Sequence, residues 1–211
     1  WQPRPAEKIL DERVAYLITD ILSDNNARLA TFGPNSVLQI GRPAAVKTGT
    51  TTDFRDNWTV GYTPELAVGA WVGNADNSPM VNISGVAGAG PIWHDFLRAA
   101  LTGKPETQFV EPPGLVRVEV CALSGLLPTE YCPLRKVELF IDGTQPTQPD
   151  TFYQPFQIDA ATGQLADANT PPEHITTQVF LVLPPEAQDW ARAKGLPQPP
   201  ITNNQLPITN Y

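Results

Sequence analysis

The chain has 211 residues, a formal net charge of −8 and 23 prolines, about twice the usual proportion of proline. Nucleic-acid binding requires a basic surface, so an acidic chain argues against a nucleic-acid partner. No apolar run approaches the ~20 residues that cross a bilayer, and the chain does not open with a signal peptide. Because it begins with Trp1 rather than Met, we expect it to be a piece of a longer protein.

Proline and charge are distributed unevenly along the chain. Residues 1–103 contain seven prolines and carry a net charge of −2, whereas the remaining residues contain sixteen prolines and carry −6. We therefore predict a compact, patterned region over 1–103 and a linker over 104–114. A small β-rich region follows over 115–195, and a tail over 196–211 lacks the apolar residues needed for order.

The first region begins with a predicted helix over residues 12–24. Asp11 is a favourable N-cap, and the Ser-Asp-Asn-Asn run from Ser23 ends the helix. The predicted buried face consists of apolar residues at helical spacing: Val14, Leu17, Ile18, Ile21 and Leu22.

Three strands follow, over residues 43–51, 58–62 and 66–73, and their short connections predict an antiparallel meander. A second helix is predicted to open near Gly88, with Pro91 at its first position and Gly103 as its stop. Its apolar face is predicted to contain Ile92, Phe96, Leu97, Ala100 and Leu101.

The second half shows four strand-like runs and one short helix, listed as residues 115–121, 136–142, 152–159, 177–183 and 186–194. Two of its regions resemble weak copies of one hairpin. Val120 to Leu127 parallels Ile158 to Leu165, and a glycine in each, Gly125 and Gly163, suits a left-handed turn position.

The segment Lys47-Thr48-Gly49-Thr50 is the motif in this sequence that indicates chemistry. A Lys-Thr-Gly triplet alone is a weak signal, but this one lies on a strand of small residues that a second strand follows. The triplet is one of three elements found in serine penicillin-binding proteins and β-lactamases.

Residues 47–64, KTGTTTDFRDNWTVGYTP, closely resemble the third active-site motif and following strand of class A penicillin-binding proteins, and the resemblance extends over about residues 6–103. It implies an α+β fold, the C-terminal part of a transpeptidase domain of the penicillin-binding-protein/β-lactamase type, with helices packed on an antiparallel sheet. The second half resembles, less specifically, a C-terminal extension found in some members of the family.

The resemblance implies a peptidoglycan D,D-transpeptidase that crosslinks stem peptides ending in D-Ala-D-Ala through a serine acyl-enzyme and is inhibited by β-lactams. It also implies a glycosyltransferase upstream and a location outside the cytoplasm, anchored by an N-terminal segment not in this chain. No cofactor is expected.

In such a site the edge of the strand would pair with an extended substrate, and Gly49 would remove a Cβ that blocks close approach. The resemblance gives the Thr50 N–H to the oxyanion hole. It also implies that the Thr48 and Thr50 hydroxyls bind a substrate carboxylate and that the Lys47 ammonium supplies a fixed positive charge beside that carboxylate.

The nucleophile of this family lies in an S-x-x-K motif, and none of the five serines has a lysine three residues later. Ser23-Asp24-Asn25 matches the second motif, S-x-N, but it ends a helix too close to Lys47 to serve as one. We therefore predict that the isolated chain is inactive and depends on the N-terminal remainder of the same protein. The alternatives are a non-enzymatic wall-binding or scaffolding module and, less favoured, a stand-alone β-lactamase.

Four other polar positions have structural interpretations that outweigh catalytic ones. Asp53 and Asp56 suit turns and caps better than a glycosidase pair, and His94 suits a structural role better than a general base. His174 is expected at the surface. The glycine-rich run 85–90 suits close helix packing better than phosphate binding, because no phosphate-loop lysine accompanies it.

The two cysteines and three tryptophans leave open questions. Cys121 and Cys132 are too few for a zinc site, and they form either a disulfide or two buried thiols, depending on the redox compartment. We expect Trp58, Trp71 and Trp93 to pack in the core rather than to stack on sugars.

Overall fold

The computed structural model of the chain describes residues 7–200, and these form two compact units that divide between Leu115 and Val116. Most of the predicted tail, residues 201–211, lies outside the described residues. The first unit contains α1 (Glu12–Ser23), α2 (Leu29–Phe32), β1 (Ala45–Thr50), β2 (Asp56–Tyr62), β3 (Ala67–Gly73) and α3 (Ala89–Ala100). The second contains β4 (Leu115–Cys121), β5 (Arg135–Ile141), β6 (Tyr153–Asp159), β7 (Ile175–Leu181) and α4 (Pro185–Ala193).

Helices and antiparallel sheets give the α+β class that the sequence predicts. In the described part of the chain no helix is long and apolar enough to cross a membrane.

Helix α1 begins where the sequence predicts. The Asp11 carboxylate accepts the Arg13 backbone N–H at 2.8 Å, and the helix ends at Ser23. The predicted buried face is wrong for Ile18 and Ile21, which are 48% and 63% exposed. Thr19 is the buried residue instead, because its hydroxyl lies 2.7 Å from the Tyr62 hydroxyl of β2 and thereby fixes which side of the helix meets the sheet.

Strands β1, β2 and β3 form the predicted antiparallel meander, with β1 at one edge. The register places Lys47 opposite Val60 and Trp58 opposite Trp71. Because side chains alternate between the two faces of a sheet, one face carries the residues that pack on α3 and the other carries both of these pairs.

Helix α3 packs on β2 and β3 and supplies much of the core, with Trp93, Leu97 and Leu101 almost fully buried. Two predictions about it are wrong. Pro91 occupies the third helical position rather than the first, because the helix already begins at Ala89. Ile92 and Phe96 are more than half exposed, because the helix turns Trp93 toward the sheet.

The predicted linker, residues 104–114, contains no helix or strand, but its first part lies against the first unit. The Arg42 guanidinium donates to the main-chain carbonyls of Leu101, Lys104 and Pro105 at 3.2–3.4 Å. The ring of Phe109 meets Tyr62 edge-on, with the ring centroids 5.8 Å apart.

The second unit contains two sheets of two strands each, β4–β5 and β6–β7, and the two hairpins repeat the same backbone contacts. Cys121 N–H donates to Leu126 and Gly125 N–H to Cys121. In the second hairpin Asp159 N–H donates to Gln164 and Gly163 N–H to Asp159.

Gly125 and Gly163 have φ of 72° and 71°, which confirms the left-handed turn predicted for both copies. The first copy is closed by a disulfide between Cys121 and Cys132, so the described cysteines are not free thiols.

Candidate functional site

The Lys47-Thr48-Gly49-Thr50 segment makes up most of β1, and β1 pairs only with β2 in the sheets of the described residues. Its other edge therefore has no strand partner there. The register places Lys47 and Gly49 on the face that carries Val60 and Trp58. Thr48 and Thr50, one residue out of step with them, lie on the opposite face.

Gly49 leaves an open position on its face of the strand. A Cβ built there would meet only Trp58 Cβ, at 3.7 Å, which is an ordinary contact. The Lys47 ammonium is exposed and donates to the Thr48 carbonyl at 2.5 Å. The Lys47 ammonium and the side-chain-free backbone at Gly49 thus lie close together on β1.

Thr50 is fixed by the loop that precedes α3. Its hydroxyl oxygen accepts the Gly85 N–H at 2.9 Å, and the hydroxyl proton has no acceptor among the described contacts. The buried Thr59 hydroxyl also donates to the Gly85 carbonyl at 3.1 Å and so helps to fix Gly85 beside Thr50. Thr50 can therefore still donate a hydrogen bond to a ligand.

The glycine-rich loop has the packing role that the sequence indicates. A Cβ on Gly85 would lie 2.5 Å from the Gly49 carbonyl oxygen and 2.8 Å from that of Trp58. A Cβ on Gly90 would lie 3.0 Å from Val37 Cγ2. The contact between Gly85 and Thr50 was not predicted, and the glycine before a helix was its only sequence signal.

A groove runs along β1 at Val46, Lys47 and Thr48. Its other wall comes from the end of α1 and the segment after it: Ile21, Leu22, Asp24, Ala27, Arg28, Phe32 and Leu38. The Arg28 guanidinium donates to the carbonyls of Leu22 and Asp24 at 3.1 and 3.3 Å, and its burial lowers the pKa of the guanidinium. Arg28 was missed by the sequence analysis; it lines the groove and binds the last carbonyls of α1.

The tryptophan prediction holds for only one of the three residues. Trp93 is fully buried, but Trp58 and Trp71 are 46% and 45% exposed and lie opposite each other on the Lys47 face. The Trp71 indole N–H donates to Asp56 at 2.9 Å, so the carboxylate of Asp56 orients a ring. Asp56 also has the expected turn role, because its N–H donates to the Thr51 hydroxyl at 2.8 Å and its carbonyl accepts the Thr51 N–H at 3.0 Å. Asp53 does lie in a turn, with φ of 61°.

The remaining polar candidates lie apart from this strand in structural roles. His94 Nδ1 lies 2.7 Å from the Val37 carbonyl, at a half-buried position on α3. Ser23 ends α1 and donates to the Asp20 carbonyl, as expected of a helix terminus. No group of three or more metal-ligating side chains occurs in the described residues.

Comparison with known proteins gives matches over both units. Residues 111–155 match the family described as "Penicillin-binding protein 1A, C-terminal domain". The penicillin-binding protein 1A of Clostridium botulinum is 32% identical over 181 residues, 83% of this chain and 22% of the relative. That of Escherichia coli is 35% identical over 167 residues, 68% of this chain and 19% of the relative.

A solved structure is also similar. The crystal structure of penicillin-binding protein 1A from Haemophilus influenzae matches 69% of this chain and 22% of its own, with a TM-score of 0.57 and 28% identity. The chain thus spans about a fifth of the length of these relatives.

Proposed function

Because the chain belongs to the class A penicillin-binding protein family, we propose that β1 is the substrate-binding strand of a peptidoglycan D,D-transpeptidase. The observation that carries the proposal is the placement of the Lys-Thr-Gly-Thr segment on a strand with an open edge. An extended peptide can add to such an edge through main-chain hydrogen bonds.

The reaction would be acyl transfer between stem peptides. A serine attacks the carbonyl of the penultimate D-Ala, the terminal D-Ala leaves, and the amine of a second stem peptide resolves the ester. The Thr50 N–H would stabilise the oxyanion. β-Lactams would acylate the same serine, because their ring presents a carbonyl and a carboxylate to the same groups.

The side chains of β1 would hold the donor peptide. The hydroxyls of Thr48 and Thr50, which share one face of the strand, would bind its terminal carboxylate. The Lys47 ammonium, which extends from the other face, would add a positive charge at the same strand edge. The contact from Gly85 supports this role for Thr50, because it sets the direction in which the hydroxyl can donate. Gly49 would let the peptide backbone approach.

The nucleophile would come from sequence outside this chain, since no serine here is followed three residues later by lysine. We expect the 211-residue chain to remain unlabelled by fluorescent penicillin and the longer gene product to be labelled. Stoichiometric labelling of the 211-residue chain would contradict this assignment.

Gly49→Ala tests the role of the strand, because the added Cβ meets only an ordinary contact and leaves the fold intact. In the longer protein it should slow penicillin acylation by about 10²-fold, as a displaced substrate does. Gly69→Ala is the matched control, since its Cβ would also meet one side chain at 3.7 Å, on the same face of the sheet.

Equal acylation rates for the two alanine variants would remove β1 from the site. Unlabelled longer protein that binds purified peptidoglycan would instead favour the wall-binding module. The enzyme would assemble wall outside the cytoplasm, with the glycosyltransferase activity upstream of this chain.

A further inference from the structure

The two outer edges of the second hairpin, β6–β7, differ in how many of their backbone N–H and C=O groups already have hydrogen-bond partners. The hydrogen bonds Val182 N–H to Phe152 and Ala160 N–H to His174 fix which residues of the two strands exchange hydrogen bonds. With the observed register, the even-numbered residues 154, 156 and 158 face 180, 178 and 176 as hydrogen-bonded pairs. Odd-numbered residues therefore direct their N–H and C=O groups away from the partner strand.

Along the outer edge of β6, the backbone groups are already hydrogen-bonded to neighbouring residues or belong to a proline. Tyr153 N–H donates to the Asp150 carboxylate at 2.9 Å, and Pro155 has no N–H to offer. The Gln157 carbonyl accepts Ala166 N–H at 2.8 Å, and Asp159 N–H donates to Gln164 at 2.9 Å. A further strand cannot add there.

The outer edge of β7 has no such cover in the described chain. Ile175 N–H turns back to the Pro172 carbonyl, but the outward N–H and C=O groups of Thr177, Val179 and Leu181 have no partner among residues 7–200. The side chains of residues 177–179 are exposed, with Val179 45% exposed. This is an accessible row of alternating donors and acceptors.

Protective charges are present on the outer strand of the first hairpin but absent from β7. β5 carries Arg135, Lys136 and Glu138 among its seven residues, and charged side chains are a common defence of an edge strand. β7 reads Ile-Thr-Thr-Gln-Val-Phe-Leu and has no charge, proline or glycine. The outer strands of the two hairpins therefore differ in charge, which is one of the properties that block strand addition.

We propose that β7 is a docking edge for the β7 strand of a second copy of this chain, in antiparallel pairing about a two-fold axis. A register centred on Gln178 places Thr177 opposite Val179 of the other copy and Ile175 opposite Leu181. The outward groups of Thr177 and Val179 then meet as hydrogen-bonded pairs, whereas Ile175 contributes only its carbonyl because its N–H is bound to Pro172. No like charges face each other across the paired strands. The self-complementary strand matches the isologous contact that two-fold symmetry requires.

The charge of the chain gives this association a distinctive salt dependence. Each chain carries −8, so two copies repel, while the strands that join them are uncharged. Salt screens the repulsion and leaves the backbone hydrogen bonds in place. Raising the ionic strength should therefore tighten the dimer about threefold or more, the reverse of an interface held by ion pairs.

Sedimentation of the 211-residue chain over a range of concentrations and salt tests the proposal. Val179→Lys should raise the dissociation constant about tenfold or more, because symmetry introduces the charge twice at the paired edge. Val137→Lys is the matched control, an exposed valine of β5 that should leave association unchanged. Melting curves of both variants verify that the fold is retained.

Amide hydrogen exchange gives a second, residue-specific readout. The amides of Thr177, Val179 and Leu181 should exchange fast in dilute protein and slowly in concentrated protein. Those of Thr176, Gln178 and Phe180 should be slow in both, because they donate to β6. A chain that stays monomeric at millimolar concentration, or equal weakening by the two lysine variants, would overturn the proposal.

The tail beyond residue 200 could instead occupy the edge. In that case the odd-numbered amides of β7 would be protected at every concentration and would lose that protection in a chain ending at residue 200. That outcome would also overturn the proposal.

Discussion

The internal contacts that stabilise the first unit differ in kind from those that stabilise the second. In the first, segments far apart in sequence meet in a core of Leu38, Val46, Trp93 and Leu97, and glycines let backbones approach closely. In the second, each hairpin is closed by bonds within a short loop, and one loop also has a disulfide. The first unit should therefore be most sensitive to added atoms, and the second to the loss of local closures.

The largest effect should come from Gly61→Ala in β2. The new Cβ would lie 2.6 Å from both the Ala45 carbonyl oxygen and Trp93 Cζ2. Neither atom can move freely, since one belongs to a paired strand and the other to a fully buried ring. We expect a loss of about 3–4 kcal/mol in the free energy of unfolding of the first unit, measured by denaturant titration.

Gly69→Ala again provides the control, because its Cβ finds 3.7 Å of space on the exposed face. Its stability should stay within about 0.5 kcal/mol of wild type. If Gly61→Ala were equally harmless, close approach of the strands and α3 would not be what constrains this unit.

Removing the disulfide should have the next largest effect, and only in the second unit. Cys121 and Cys132 enclose a loop with a sequence separation of 11, for which chain entropy gives about 2–3 kcal/mol. Cys121→Ala with Cys132→Ala should lower the free energy of unfolding of that unit by this amount.

The second hairpin is a built-in control for the first. Under reducing conditions the Ala122 and Gly125 amides should lose protection from exchange, while Ala160 and Gly163, which make the equivalent bonds, should keep theirs. Equal loss in both loops would mean that the disulfide stabilises the whole unit rather than its own loop.

Much of the fold could be predicted from the sequence because local signals agreed with it. The Asp11 cap, the three-strand meander and the paired turn glycines were recognisable from residue type and spacing alone. The orientation of the helices was less accessible, because it depends on contacts between distant residues. Thr19 meets Tyr62, and Trp93 rather than Ile92 meets the sheet.

The candidate site shows the same division. The Lys47 to Thr50 motif and its strand were evident from the sequence. The N–H of Gly85, which binds Thr50, comes from a glycine-rich run for which the sequence indicates only packing. The guanidinium of Arg28, which lines the groove beside the strand, comes from a segment with no motif of its own. The exposure of Trp58 and Trp71 could not be predicted either. Both side chains lie on the face of the sheet opposite α3, and the alternation of residues in a strand does not say which face a helix covers.

The smallest effect in this comparison should be a loss of stability at acidic pH that is confined to the loop of the second hairpin, residues 159–163. The Asp159 carboxylate accepts the Ala161 N–H at 2.9 Å and the Thr162 hydroxyl at 3.1 Å, and His174 lies 3.9 Å away. The Ala161 bond is the main cause that lowers the pKa of Asp159 below its ordinary value. The carboxylate thus stabilises the loop only while it is ionised.

The sign follows from linkage. With the pKa lower in the folded state, the contribution is complete above the unfolded value of about 4 and is lost as pH falls through the folded pKa. Protection factors of Ala160 and Gly163 should therefore fall on acidification below about pH 4, while those of Ala122 and Gly125 should change less. Asp159→Asn should remove this dependence, because the amide oxygen does not titrate. An unchanged acid response in that variant would assign the effect to another carboxylate and would leave the two loops alike in their response to pH.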